Sequence, residues 1–192
     1  IHLQRSPRDN AAILRWIAAE DIHVGNILEM GDFWATFFTQ YGWGEKGLYQ
    51  EGDYILSSGQ EEPRTPEVGH TISLGAEQFV RFAPDYYSYG RLFDRVHELG
   101  GISGFAHQGY LFRGERGMAM TVLRGKVDFV ELLQFCAPEG PLATGNYYRY
   151  LDLGYKLTAL AGSDFPWCGK GPQYGVPREP SQIGNARFYT LI

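Results

Sequence analysis

The stretch RLFDRVHELGGISGFAHQG, from Arg91 to Gly109, places a helix, a helix end and a buried strand in direct succession. Its first half carries apolar residues at helical spacing on one face, namely Leu92, Phe93, Val96 and Leu99. Gly100-Gly101 follows as the stop, and residues 102–106 then form a short run that predicts a buried strand. A helix that leads into an apolar strand is typical of α/β proteins, in which helices cover a sheet.

The rest of the chain repeats this alternation. Two further helices are predicted, from Asp9 to Ala19 and from Tyr147 to Leu153. The other predicted strands share a short apolar run, and they are Ile22–Leu28, Tyr54–Ser57, Thr71–Leu74, Val127–Phe135, Leu157–Ala161 and Arg187–Ile192. The second of these is expected to stop at Ser58-Gly59. This pattern predicts a parallel α/β sheet or barrel covered by helices.

Length and composition are those of one folded domain spanning residues 1–192. Hydrophobic residues make up 44% of the chain and aromatic residues 15%, which excludes disorder. The formal net charge is -5 and there is no block of Lys or Arg, so nucleic acid and anionic membranes are not expected partners. A small-molecule substrate fits this balance better.

The chain shows neither a membrane span nor a cysteine framework. No stretch approaches about 18 consecutive apolar residues, which predicts a soluble protein in a compartment the sequence leaves open. Cys136 and Cys168 form no C-x-x-C pair, so they predict no cysteine zinc site. Both ends look cut, because a complete (β/α) barrel usually needs about 250 residues. We therefore expect a piece of a longer polypeptide, in which His2 lies on the first barrel strand with its side chain in the site.

Polar residues follow several predicted strands, where parallel α/β folds build their sites. They are Glu61, Glu62, His107, Gln108 and Asp164, with His2 and Gln4 following or finishing a first segment. His70 opens the strand that comes after the two glutamates. Imidazole and carboxylate together suit Zn²⁺, Mn²⁺ or Fe²⁺, and the lack of cysteine ligands argues against a closed structural zinc. An open metal site of this kind implies a metal-bound hydroxide that attacks at neutral pH.

Other polar residues keep two interpretations each. Arg64 would either clamp an anionic group or neutralise the neighbouring glutamates. Glu131 would either orient a ligand histidine from behind or form a salt bridge, with Asp128 framing the same strand. His23 could face the core or the site, whereas His97 is expected on the surface of its helix.

Two loops are candidates for setting specificity. The segment from Gly31 to Asp53 is rich in aromatic residues and glycine and suits a long functional loop, with Phe33 to Tyr49 as either a substrate wall or a packed cluster. The segment from Gly109 to Met120 is the second. Substrate identity would depend on these loops, so the sequence does not name it.

The motifs GQEEPRT, Gly69-His70, GFAHQG and AGSDFP resemble, in this order, those of the PHP (polymerase and histidinol phosphatase) superfamily of metallohydrolases. The most similar branch is the carbaryl hydrolase-like CehA/McbA type, and the resemblance runs from His2 to about Tyr189. It implies a distorted (β/α)7 barrel, truncated here at both ends. It also implies two or three divalent metals that activate water to cleave an ester, amide, carbamate or phosphoester bond.

The resemblance also implies roles for individual residues. His2 would be the second histidine of a His-x-His pair, Glu61 would bridge two metals, and Asp164 would return to the first metal. His70 and His107 would ligate the second metal. The candidate catalytic residues are then Glu61, His107 and Asp164, and the candidate substrate-binding residues are Arg64, Gln108 and Trp167.

Two departures from the superfamily pattern favour two metals over three. Where Thr-Asp-His is common, this chain reads ILEMGD and offers only Glu29 or Asp32. The final Asp-x-His is Asp164-Phe165-Pro166, which lacks the histidine.

Three rival functions remain. An amidohydrolase-like enzyme would need a bridging lysine, but Lys126 and Lys156 both precede strands. A non-catalytic or carbohydrate-binding barrel domain is suggested by Trp34, Trp43 and Tyr49. A metal-free glycosidase would use Glu61 or Glu62 together with Asp164.

Overall fold

The structure is a computed structural model that describes residues 1–107, 114–134, 144–166, 183–184 and 186–190. The described helices are α1 (Asn10–Ala19), α2 (Tyr89–Glu98), α3 (Gly114–Thr121) and α4 (Thr144–Asp152). The described strands are β1 (Val24–Gly31), β2 (Thr36–Phe37), β3 (Tyr49–Glu51), β4 (Tyr54–Glu61), β5 (Arg64–Thr65), β6 (Gly69–Leu74), β7 (Ile102–Phe105), β8 (Phe129–Gln134) and β9 (Thr158–Gly162). None of these helices combines the length and the apolar character that a membrane crossing requires.

The strands form one mixed, open sheet in the order β2-β1-β4-β6-β7-β8-β9, with β3 added to β4 and β5 added to β6. Of the eight described strand pairings, five are antiparallel and only β1–β4, β7–β8 and β8–β9 are parallel. Within the described residues no pairing joins β9 to β1 or β2. The predicted parallel sheet and the implied (β/α)7 barrel are therefore wrong. Short connections allow antiparallel returns, and a parallel pair needs a long crossover.

The direction of the strands still gathers their ends at one edge. The strands β1, β4, β7, β8 and β9 all run in one direction, and β6 runs in the opposite direction. The carboxyl ends of five strands thus meet the amino end of β6. A residue that opens β6 consequently lies beside residues that close the other strands.

Strand β4 is longer than predicted because Ser58-Gly59 does not end it. Gly59 sits between side chains of the neighbouring strands, and a Cβ there would come within 2.7 Å of Leu28 Cδ2 and 2.9 Å of Leu74 Cδ2. This glycine allows close packing inside the sheet, which a sequence does not distinguish from a turn. The strand therefore continues to Glu61.

The remaining predictions have mixed outcomes. Helices α1 and α2 lie where the apolar periodicity predicts them, and α4 begins three residues earlier than predicted. Helix α3 occupies part of the predicted specificity loop from Gly109 to Met120. Residues 187–190 carry no regular structure, so the predicted final strand is wrong there, and residues 191–192 lie outside the described part.

Two apolar clusters fix the helices on the sheet. In the first, α2 and α3 pack on β7 and β8, and the rings of Phe93 and Phe105 meet edge to face at 5.8 Å. In the second, Ile13, Leu14 and Ile17 of α1 pack against β1 and β4. Because both clusters are buried, the strands that end at the polar edge are held rigidly.

Candidate metal centre

Five predicted ligands converge at the polar edge of the sheet. Glu61 is the last residue of β4 and His70 the second of β6. His107 and Asp164 each lie two residues beyond the end of a strand, β7 and β9 respectively. His2 belongs to an N-terminal segment that forms no strand, so its predicted place on a first strand is wrong. Its side chain nevertheless enters the cluster.

The N-terminal segment is bound on both sides by backbone hydrogen bonds. The N–H of His2 donates to the carbonyl of Phe165 at 2.6 Å, and the N–H of Leu28 donates to the carbonyl of Ile1 at 2.7 Å. The segment therefore lies between β1 and the chain that follows β9. This placement brings His2 beside Asp164.

The first group of candidate ligands is Glu61, His70 and His107, all of them buried. Glu61 Oε1 lies 2.9 Å from His70 Nδ1 and 3.8 Å from His107 Nε2. The two ring nitrogens are 3.1 Å apart. These three atoms therefore surround one small volume.

The second group shares the same glutamate through its other oxygen. His2 Nε2 lies 2.8 Å from Glu61 Oε2 and 3.0 Å from Asp164 Oδ1. Each oxygen of Glu61 thus faces a different group, which is the arrangement of a bridging carboxylate.

Both groups fit the size and chemistry of a divalent metal ion. Ligand atoms that each lie about 2.0–2.3 Å from one ion are at most about 4.6 Å apart, and the distances above fall within that limit. The donors are imidazole nitrogens and carboxylate oxygens, a set that binds transition metals. These buried residues could therefore hold a metal ion.

The charges of the cluster favour the metal-binding forms of Glu61 and His70, but they favour the protonated forms of His2 and His107. Burial alone would raise the pKa of Glu61, but Arg64 and His2 hold that pKa well below its ordinary value. Burial lowers the pKa of His70 to about 4, so its ring is neutral near pH 7. Burial would also lower the pKa of His2 and of His107, but Glu61 and other nearby carboxylates outweigh it and raise both values.

Arg64 lies at the edge of the first group. Its Nε donates to Glu61 Oε1 at 2.9 Å, and its side chain is one-fifth exposed. This contact is the one expected if Arg64 neutralises the charge of Glu61. The guanidinium therefore lies on the same carboxylate oxygen that faces His70 and His107.

Glu131 sits behind His107, on β8. Its Oε2 accepts a hydrogen bond of 2.6 Å from the backbone N–H of His107, whose φ of 22° is unusual for a residue with a side chain. Gly162 makes room for this carboxylate, because a Cβ there would overlap Glu131 Oε1. Burial raises the pKa of Glu131 to about 7. Glu131 therefore holds the backbone of a candidate ligand.

Three carboxylates considered as ligands lie outside the cluster. Glu62 faces Arg81 at 2.8 Å and Tyr86 at 3.1 Å, and burial raises its pKa to about 7. Glu29 pairs in register with Gln60, so its side chain faces away from that of Glu61. Asp32 accepts hydrogen bonds from the backbone of the β1–β2 turn.

The remaining histidines, His23 and His97, and the two lysines weighed for an amidohydrolase-like site do not join the ligand cluster. His97 contacts Asp128 at 2.7 Å, and Lys126 pairs with Asp94 on α2. The exposed ring of His23 stacks on Tyr54, and His23 lines the cavity that adjoins the cluster. Lys156 is exposed, so neither lysine bridges the cluster as an amidohydrolase-like site would require.

The predicted substrate-binding residues Gln108 and Trp167 lie outside the described residues. Of the three aromatic residues that suggest sugar binding, Trp34 is 87% exposed. Trp43 packs on Phe79 with ring centroids 5.5 Å apart, and Tyr49 is half-buried beside the α1 cluster. The three rings therefore do not form one exposed platform.

A cavity of about 630 Å³ adjoins the cluster. Its wall includes His2, Glu61, His107 and Asp164 together with apolar side chains of the sheet, which are Leu28, Ile72, Leu74, Phe129 and Leu160. The candidate ligands thus border a space in which a small molecule could approach them.

Two buried polar residues near the cluster have no signal in the sequence. Arg5 is 2% exposed and Gln40 is 5% exposed, and they hydrogen bond to each other. Arg5 occurs in the polar stretch RSPRD, which predicts a solvated loop. Its burial depends on contacts with residues more than thirty positions away, which local patterns do not encode.

No model of a known protein family matches this sequence, and a search of curated proteins finds no significant match.

Proposed function

We propose that this protein is a divalent-metal-dependent hydrolase with a two-metal site. His2, Glu61 and Asp164 would hold one ion, and Glu61, His70 and His107 the other. The observation that carries the proposal is the position of Glu61, whose two buried oxygens face the two groups at 2.8 and 2.9 Å. A glutamate that served only a salt bridge would not need four polar neighbours, three of them histidines.

The donor set narrows the choice of metal. Three imidazoles and two carboxylates, without thiolate, suit Zn²⁺, Mn²⁺ or Fe²⁺. Bound divalent ions supply two effects, a lowered pKa for water and polarisation of the oxygen of the electrophile.

The side chains of this chain would prepare the site in three ways. His70 is neutral at pH 7 because burial lowers its pKa to about 4, so its ring would not have to lose a positive charge before it binds a metal ion. Glu131 fixes the backbone of His107 and so directs that ring toward Glu61. Arg64 adds a positive charge that would attract an anionic group or a developing oxyanion.

The net charge of the loaded site favours hydrolysis. Glu61 and Asp164 would offset about two of the four positive charges that two divalent ions carry, and the histidines would offset none. An excess of positive charge in a buried site stabilises an anionic transition state. Carboxylic esters, amides, carbamates and phosphoesters all pass through one, and they are the proposed substrate classes.

The resemblance to PHP metallohydrolases supports the proposal through the order of its motifs alone. The mixed, open sheet is not the fold that the resemblance implies. The ligand roles inferred for His2, Glu61, His70, His107 and Asp164 agree with the two groups that the geometry defines.

A non-catalytic carbohydrate-binding protein is the second candidate. The observation that favours it is Trp34, which is 87% exposed on the turn between β1 and β2. Sugar binding through this ring would persist after chelation, whereas hydrolysis would not.

The test is metal analysis followed by a substrate panel. Protein purified without chelators should contain about two ions per chain by inductively coupled plasma mass spectrometry. Activity on ester, amide or phosphoester substrates should disappear on chelation and return when the metal is restored.

Two neighbouring glutamates provide a matched pair of variants. Glu61→Gln should lose both ions and all activity, because each group loses its shared carboxylate. Glu62→Gln should keep both ions and the activity, since Glu62 faces Arg81 and Tyr86 instead. Activity that survives exhaustive chelation, or equal metal loss in both variants, would contradict the proposal.

A further inference from the structure

Arg5 is a buried arginine whose hydrogen bonds all go to uncharged acceptors. Its Nε donates to Gln40 Oε1 at 3.1 Å, and its Nη2 donates to the carbonyl of Gly47 and to Ser58 Oγ, both at 2.6 Å. Its Nη1 is buried without a hydrogen-bond partner among the described residues. A buried guanidinium without a carboxylate is costly, and an apolar residue of similar size often gives a more stable protein.

The contacts of Arg5 join three separate parts of the chain. Its backbone N–H donates to the carbonyl of Thr39 at 3.1 Å, and the Gln40 side chain donates to the carbonyl of Leu3 at 2.8 Å. Gly47 ends a short 3-10 helix, and Ser58 lies within β4. The guanidinium therefore binds the N-terminal segment to β4 and to the loop before it.

The same contacts connect two candidate ligands. Arg5 lies three residues after His2, and Ser58 lies three residues before Glu61. The hydrogen bond from Arg5 to Ser58 joins the two segments on the face of β4 opposite to that of Glu61, because side chains three residues apart on a strand point to opposite faces. It thereby sets the position of His2 relative to Glu61, whose side chains meet at 2.8 Å on the other face.

The ring of His2 depends on this anchorage. Its Nδ1 is buried without a hydrogen-bond partner among the described residues, so no neighbour fixes the ring from behind. Its orientation thus follows from the contacts of its Nε2 with Glu61 and Asp164 and from the backbone that carries it. That backbone forms no strand. Hydrogen bonds with Leu28 and Phe165 hold residues 1 and 2, and Arg5 and Gln40 supply the contacts that hold residues 3 and 5 in place.

We propose that Arg5 is a positioning residue for the metal group of His2, Glu61 and Asp164. This inference rests on the proposed function for its consequence, the binding of the ion in that group. Arg5 acts by holding the N-terminal segment on β4. A lysine would not replace it, because the planar fork of arginine reaches Gln40 and Ser58 at once and an ammonium does not.

The positional part is tested without metal, by nuclear Overhauser contacts in chelated protein. The wild type should show contacts between the rings of His2 and Phe38, whose centroids are 6.0 Å apart, and between those of His70 and His107, at 4.7 Å. Arg5→Met should lose the first contact and keep the second. Arg91→Met makes the same change at an exposed position and should keep both.

The consequence for metal binding is tested by measuring how many ions the same proteins bind and how tightly. Arg5→Met should bind one ion as tightly as the wild type and the second at least tenfold more weakly. A general loss of structure would weaken both ions together. Persistence of the His2–Phe38 contact, or unchanged binding of both ions in Arg5→Met, would overturn the inference.

A second variant covers the case in which Arg5→Met does not fold. Ser58→Ala removes one acceptor of the guanidinium with little change in volume, and it should weaken the His2–Phe38 contact and the second ion to a smaller extent. A Ser58→Ala protein indistinguishable from the wild type would then overturn the role of Arg5. If the wild type binds no metal, the proposed function fails, while the metal-free contacts still decide whether Arg5 positions His2.

Discussion

The carboxylate of Glu131 holds the backbone of His107, accepting its N–H at 2.6 Å while the imidazole points toward Glu61. The backbone of His107 lies at a φ of 22°, a conformation that L-residues adopt only when their surroundings impose it. Glu131 provides that restraint from a neighbouring parallel strand, so it connects the sheet to a candidate ligand.

Removal of this acceptor should therefore affect the metal group of His107. Glu131→Leu leaves a buried N–H without a partner, which costs about 1–3 kcal/mol. We expect the ion held by Glu61, His70 and His107 to bind roughly tenfold more weakly, since 1.4 kcal/mol corresponds to a factor of ten. Glu131→Gln keeps an acceptor oxygen and should bind near the wild-type affinity in isothermal titration. Equal losses in the two variants would show that charge, and not the hydrogen bond, matters.

Asp164→Asn should remove an ion without unfolding the protein. Asp164 has a φ of 50°, a conformation that asparagine also tolerates well, so the backbone needs no change. The substitution removes one anionic ligand beside His2. We expect loss of the ion held with His2 and loss of hydrolysis, with an unchanged circular dichroism spectrum. Asp128→Asn, next to His97 and away from the cluster, is the control and should keep metal and activity.

Arg64→Gln should strengthen metal binding. The guanidinium lies 2.9 Å from the oxygen of Glu61 that faces His70, where a positive charge repels a cation. Its removal should raise the affinity of that group by about tenfold, a modest share of a charge interaction at a partly exposed site. Arg81→Gln, which removes the partner of Glu62, should leave the affinity unchanged. Weaker metal binding in Arg64→Gln would show that orienting Glu61 is a larger effect of Arg64 than repelling the metal ion.

As the pH is lowered, metal affinity should begin to decrease at a higher pH than it would for histidines with an ordinary pKa. Nearby carboxylates, Glu61 above all, outweigh burial and raise the pKa of His2 and of His107 above 6.5. Protons therefore compete for both rings already above pH 6.5, while His70, with a pKa of about 4, does not compete there. Competition titrations from pH 8 to pH 6 should show steadily weaker binding.

The stability of the metal-free protein should follow the opposite trend. A histidine whose pKa is raised by folding stabilises the fold fully below pH 6.5, and that contribution is lost as pH rises through the raised pKa. Between pH 6.5 and 8 the melting temperature should therefore fall for chelated protein and rise for metal-loaded protein. Parallel trends in the two samples would contradict protonation of the two rings.

The sequence predicts the elements of this fold better than their directions. Apolar periodicity locates α1 and α2 because each buries one face. The reversal at β6 is not predictable in the same way, since an apolar run reads the same in either direction. It depends on the pairing of Arg64 with His70, a contact that a residue pattern does not specify.

The candidate site was predictable where ligands follow strands. His107 and Asp164 follow β7 and β9, and His70 reaches the same edge because β6 runs backwards. Arg5 was not predictable, since its burial is created by Gln40 and Ser58 from distant parts of the chain. Polar residues that hold a site from behind have no fixed spacing from the ligands they serve.

Gly162 affects the backbone of His107 indirectly, through Glu131. Any side chain at residue 162 would overlap Glu131 Oε1, and a displaced Glu131 would release the N–H of His107. Residues 131 and 162 should consequently vary together among related sequences, with a larger residue at 162 only where 131 is smaller than glutamate. Such a coupled pair would separate chains that keep this ligand geometry from those that share only the ligands.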